Sequence, residues 1–152
     1  MRLRSTIIAI AVAFVAAACT TTEEPSARAI CLDAVGELHA SIEEYDELLE
    51  TGVAEMRDDD AAEKLGTISN SYRSLFEALE ARAATVPSEV ESAHGLLSSG
   101  VGMQVTAWMS ISDGIQFQDP DLIDDGAELI ILSREVVAQS QQAIPDCSAA
   151  GD

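Results

Sequence analysis

His39 and His94 are the only imidazoles in the 152-residue sequence, so any imidazole-based catalysis or ligation must be built on them. A carboxylate-bridged metal pair in a helical bundle needs Glu-x-x-His on two helices. Glu91-Ser92-Ala93-His94 supplies that pattern once, but Glu37 precedes His39 by only two residues and is out of register. Glu91 also has a simpler use as the capping-box partner of Ser88. Both histidines are therefore expected to be structural or surface groups. No G-x-S-x-G elbow surrounds any serine, and Gly100-Val101-Gly102 lacks both a third glycine and a preceding strand. With no C-x-x-C or C-x-x-C-H, thiol redox chemistry and covalent haem are also unsupported. The sequence predicts no enzyme and no cofactor.

The acids offer a different chemistry. Asp58, Asp59 and Asp60 form one cluster, and Asp119, Asp121, Asp124 and Asp125 form another, with Asp113 nearby. Hard divalent cations take carboxylate oxygens, so the seven aspartates of the two clusters, without Asp113, are the candidate site for weak Ca²⁺ or Mg²⁺ binding. Their spacing does not fit an EF-hand. Acids at helix N-termini are also favoured by the helix macrodipole without any ligand.

Three cysteines remain to be placed. Arg2 and Arg4 precede an uncharged, apolar run from Thr6 to Ala18, too short for the roughly 20 residues that span a bilayer. Small residues then lead into a cysteine, Ala16-Ala17-Ala18-Cys19. This segment resembles the lipobox of bacterial lipoprotein signal peptides, with Ala16 standing where that family usually has leucine. The resemblance covers the first 19 residues only. It implies cleavage before Cys19 and a thioether-linked diacylglycerol on it, hence a membrane-anchored protein on the extracytoplasmic face. In a Gram-negative cell the outer membrane is open to it, because Thr20 carries no aspartate retention signal. The same alanines also satisfy the rule for ordinary signal peptidase, which would give a secreted chain. If Cys19 is acylated, Cys31 and Cys147 remain as a pair suited to an oxidising compartment.

Composition sets the outer limits. The length suits one domain, and 47% hydrophobic with 23% charged residues is ordinary for a globular chain. The net charge of −19 is not ordinary. Loss of a leader carrying Arg2 and Arg4 would leave six bases against 27 acids. Such a surface repels phosphate backbones and anionic headgroups, which disfavours nucleic acid and polybasic membrane docking.

Four amphipathic segments must position whatever site exists. The first, from about Ala27 to Met56, carries Cys31, Val35, Leu38, Ile42, Tyr45, Leu49, Val53 and Met56 at helical spacing. Any of Asp58, Asp59 and Asp60 can cap the second, with Asp60 and Glu63 resembling a capping box, and it runs to about Thr85 with Leu65, Ile68, Tyr72, Leu75, Phe76 and Leu79. The third starts at a Ser88–Glu91 capping box and carries Val90, His94, Leu97, Val101, Val105, Trp108, Ile111 or Ser112, and Ile115. Its Gly100 and Gly102 call for either close approach of a neighbour or a kink. Asp113-Gly114 and Asp119-Pro120 bound the next connection. The fourth segment opens with Asp119 as cap and Pro120 at the first helical position, ends at Pro145, and bears Leu122, Ile123, Leu129, Ile130, Leu132, Val136, Val137 and Ile144.

Short connections between helices of this length predict an all-α, antiparallel up-down-up-down four-helix bundle. Its first and last ends then share a pole, where a Cys31–Cys147 bridge can close. The expected organisation is a signal peptide at 1–18, a lipidated tether at 19–26, the bundle at 27–147 and a disordered tail at 148–152. The expected role is a non-enzymatic binding or envelope-structural module, held to the membrane through a lipid on Cys19 and working with a protein partner in the envelope. A divalent-cation binder is the alternative, and a metal-dependent enzyme a more distant one.

Overall fold

The computed structural model of the chain describes residues 25–148 and Ala150. The leader, the lipobox-like segment and Cys19 lie outside the described residues. Four helices account for most of what is described: α1 (Ala27–Glu55), α2 (Ala61–Arg82), α3 (Glu91–Phe117) and α4 (Pro120–Gln142), with a 3-10 turn at Ala83–Thr85 after α2. They form the antiparallel bundle expected of the four stripes.

Each boundary has a local cause. Ser26 caps α1 by accepting from Ala29 N–H at 3.2 Å. Asp119 caps α4 by accepting from the N–H groups of Asp121 and Leu122, with Pro120 following in the first turn. Two expected caps are corrected. Ser88 does not cap α3; its hydroxyl bonds to the Glu89 carboxylate at 3.1 Å, and the helix starts at Glu91 after a Pro87–Val90 turn. Asp60 precedes α2 without a side-chain cap bond, because its carboxylate is drawn to Lys64, 3.2 Å away. Gly114 also does not end α3, which runs on to Phe117. Gln118, in the left-handed region at φ 56°, turns the chain into Asp119.

The tightest seam joins α3 and α4. Along α4, Gly126, Ser133 and Ser140 recur every seven residues, and their partners Ala107, Gly100 and Ala93 step back along α3 by the same interval. Ser133 Oγ donates to the Gly100 carbonyl at 2.8 Å and Ser140 Oγ to that of Ala93 at 2.6 Å. A Cβ on Gly126 would stand 2.7 Å from the Ala107 carbonyl, and one on Gly100 would stand 2.6 Å from Val137 Cγ2. Close approach, not a kink, therefore explains the glycine in the middle of α3, which is continuous. The α2–α3 seam uses the same device: Ser69 donates to Val105 at 2.8 Å, and Ser112 to Ala62 at 2.6 Å.

This seam corrects the expected face of α4. Val137 is the only residue of its apolar band that is buried. Leu132 is 49% exposed, and the rest of the band is half-buried. The core is supplied mainly by the other three helices, including Leu38, Ile42, Tyr45, Leu65, Tyr72, Leu97, Val101, Trp108 and Ile111. Trp108 is fully buried with its ring against Gly52, while Phe117 is exposed. At the pole where chain ends meet, Cys31 and Cys147 are bonded at 2.04 Å with Cα atoms 5.9 Å apart. The bridge spans 116 residues; in the chain-entropy model, closing a loop of about 100 residues contributes roughly 4.7 kcal/mol. Beyond it, Ser148 bonds to the Asp146 carboxylate and Ala150 packs against the core.

Candidate binding groove

The helix packing is uneven, and that unevenness leaves an opening between α1 and α4. Glycine and serine draw α4 onto α3, while α1 packs chiefly on α2, so α1 and α4 meet only at isolated points. The disulfide joins α1 to the segment after α4, and a buried hydroxyl chain joins α1 to α4 itself at mid-bundle. Ser133 gives its single proton to the Gly100 carbonyl, so in the 2.8 Å contact between Tyr45 and Ser133 the phenol is the donor. Gln104 Nε2 in turn donates to the Tyr45 hydroxyl at 2.9 Å, and the Tyr72 hydroxyl donates to the Tyr45 carbonyl at 2.8 Å. Tyr45 thereby ties α1 to all three other helices. Burial pushes the phenols of both Tyr45 and Tyr72 above the usual tyrosine range.

Past that tie, toward the α1–α2 connection, the α1–α4 seam opens into a groove of about 470 Å³. Asp46, Leu49, Glu50 and Val53 line it from α1, and Ile130 and Arg134 from α4. Leu49 and Ile130 are half-buried and Val53 is 49% exposed. The carboxyl of Asp46 is held above its ordinary value by partial burial and then by Glu50, with Arg134 opposing both. The groove thus combines an apolar floor with two acids and one base. Its volume falls within the range of ligand-binding clefts.

A second, smaller cavity of about 50 Å³ lies at the disulfide pole, among Leu38, Ser41, Leu79, Val86, Val90 and His94. Glu37 and Arg82 also line it, 3.7 Å apart. His94 is buried, and its Nε2 has no hydrogen-bond partner among the described residues. His39 is exposed on α1, and the two histidines form no site together.

The acidic aspartates are not gathered into a ligand set. Asp58, Asp59, Asp60, Asp121, Asp124 and Asp125 are exposed, and Asp119 is spent on the α4 cap. Lys64 collects the first cluster, bonding Asp58 and lying 2.7 Å from Glu55 and 3.2 Å from Asp60. These bonds, led by the one to Asp58, raise the Lys64 ammonium above its ordinary value, and Lys64 lowers the Asp58 carboxyl. Among the described residues, no three His, Cys, Asp or Glu side chains converge so as to hold a metal ion.

None of the groove residues was a candidate from sequence. The available signal was the α1 stripe, which continues through Leu49 and Val53 beyond the point where α4 offers large apolar partners. Arg134, the lone base of α4, was a second one. Comparison with protein-family models, with curated proteins and with solved structures gives no match.

Proposed function

We propose that this protein is an extracytoplasmic, lipid-anchored helical module that acts by binding a partner in the envelope. The Cys31–Cys147 bond is the observation that carries the proposal. Disulfides persist in oxidising compartments, and this one accounts for two of the three cysteines. Cys19 is the third, and it follows the Ala16-Ala17-Ala18 segment that resembles a lipobox. The disulfide pole then lies next to the anchor: seven residues separate Cys19 from α1, a reach of at most about 25 Å. The binding role is supported by the open α1–α4 groove, which an antiparallel bundle closed on all four seams would not have.

Detergent phase partitioning of the protein from its native envelope tests the anchor. The exported chain is expected in the detergent phase, with an intact mass raised by a diacylglyceryl group. Cys19→Ala should move it to the aqueous phase. A wild-type chain recovered from the aqueous phase with an unmodified N-terminus would overturn the anchored reading.

A further inference from the structure

We propose that the α1–α4 groove is the docking site for a cationic amphipathic helix of another protein, seated on Leu49, Val53 and Ile130 and paired through Lys or Arg with Asp46 and Glu50. This names the partner class for the binding role above and rests on that role, but not on the lipid. Three observations converge on this occupant.

The first is an interrupted stripe. Tyr45, Leu49 and Val53 continue one helical face of α1, yet only Tyr45 is buried. Where a closed bundle would set the large apolar residues of α4 against Leu49 and Val53, α4 is drawn away onto α3 by Gly126 and Ser133. The apolar face is therefore present and its cover is missing. Helix-in-groove recognition supplies such a cover, through apolar residues at i, i+3, i+4 and i+7.

Shape is the second. The opening of about 470 Å³ runs between two antiparallel helices and is bounded at one end by the Tyr45–Ser133 bond. It has room for side chains from one further helix.

Charge selects the partner. Glu43 and Glu47 share the exposed side of α1 with Asp46 and Glu50, and Arg134 is the only base lining the groove. A second copy of a chain with net charge −19 would bring acid rows against acid rows. A lysine- or arginine-rich helix would neutralise them, and steering by the whole-molecule field would speed its arrival.

The test uses the exported full chain carrying Cys19→Ala, assayed without detergent in about 0.15 M salt. The probe is a fluorescein-labelled 14-residue Leu/Lys peptide with leucines at i, i+3, i+4 and i+7, read by fluorescence anisotropy. Expected is affinity at least tenfold above that of a scrambled peptide of the same composition. Val53→Lys or Ile130→Lys should cost at least tenfold, while the pair Asp124→Asn and Asp125→Asn should change affinity less than twofold. Asp46→Asn with Glu50→Gln, exposed substitutions that leave the core intact, should weaken binding and flatten its salt dependence. Equal binding of the scrambled peptide, or groove variants that bind like the parent chain, would overturn the proposal. So would self-association by analytical ultracentrifugation that Val53→Lys abolishes, since that would give the groove to a second copy.

Discussion

Gly126 and Gly36 show how the same residue type can carry opposite costs in two helices. Glycine in a helix interior is about 1 kcal/mol worse than alanine, so both positions look improvable from the sequence. A Cβ at Gly36 meets nothing within 4 Å, and Gly36→Ala is expected to stabilise the fold by about 0.5–1 kcal/mol. At Gly126 the added carbon would lie 2.6 Å from Ile111 Cγ1 and 2.7 Å from the Ala107 carbonyl, which belongs to backbone and cannot swing aside. The overpacking penalty of about 1–3 kcal/mol therefore exceeds the propensity gain, and Gly126→Ala should destabilise. Urea denaturation of the two variants checks the contrast. Equal effects, or a stabilised Gly126→Ala, would mean that α3 and α4 are not held at this distance.

At the scale of the helices, three stripes were legible and the fourth was not, for a physical reason. On α1, α2 and α3 large apolar residues at helical spacing are what the core contains, down to Tyr45, Tyr72 and Trp108. On α4 the buried positions are Gly126, Ser133, Val137 and Ser140, and a hydrophobicity pattern gives no weight to glycine and serine. Their seven-residue interval was visible, but its meaning needed the carbonyls of α3. The groove followed from the same blindness, since a helix that packs through small residues leaves a gap on its far side. The hydroxyl ties that replace apolar packing have a pH signature. Burial raises the Tyr45 and Tyr72 phenols above the value of about 10 that they regain on unfolding. The native state then keeps protons that the unfolded state gives up, so their stabilisation is full below about pH 10 and is lost as pH rises beyond it. Denaturation midpoints should fall above pH 10 with a dependence of up to two protons per molecule. Tyrosinate absorbance should appear together with loss of helix. Ionisation of both phenols well before unfolding would contradict the buried network.

The whole molecule carries a net charge of −19, and that charge is concentrated where helix geometry makes it repel. On α1, Glu43, Asp46, Glu47 and Glu50 stand at i,i+3 and i,i+4 separations, where like charges each cost a few tenths of a kcal/mol, about as much as a favourable pair contributes. The opposing ion pairs among the described residues are Lys64 with Glu55, Asp58 and Asp60, and Arg82 with Glu37, while Arg134 attracts Asp46 from farther away. All of these lie at the surface, where ion pairs contribute little and are screened by the same ions. With 27 acids against 8 bases, repulsive pairs outnumber attractive ones, so screening should favour the folded state. Raising NaCl to about 0.5 M is expected to stabilise by about 1 kcal/mol, or roughly 3–6 °C in Tm. Calorimetric melts across that range check the sign, and a flat or falling Tm would overturn it. The double variant Glu43→Gln and Glu47→Gln locates the effect: it should raise Tm in low salt and reduce the salt slope, because it removes like-charge neighbours and breaks none of the observed ion pairs.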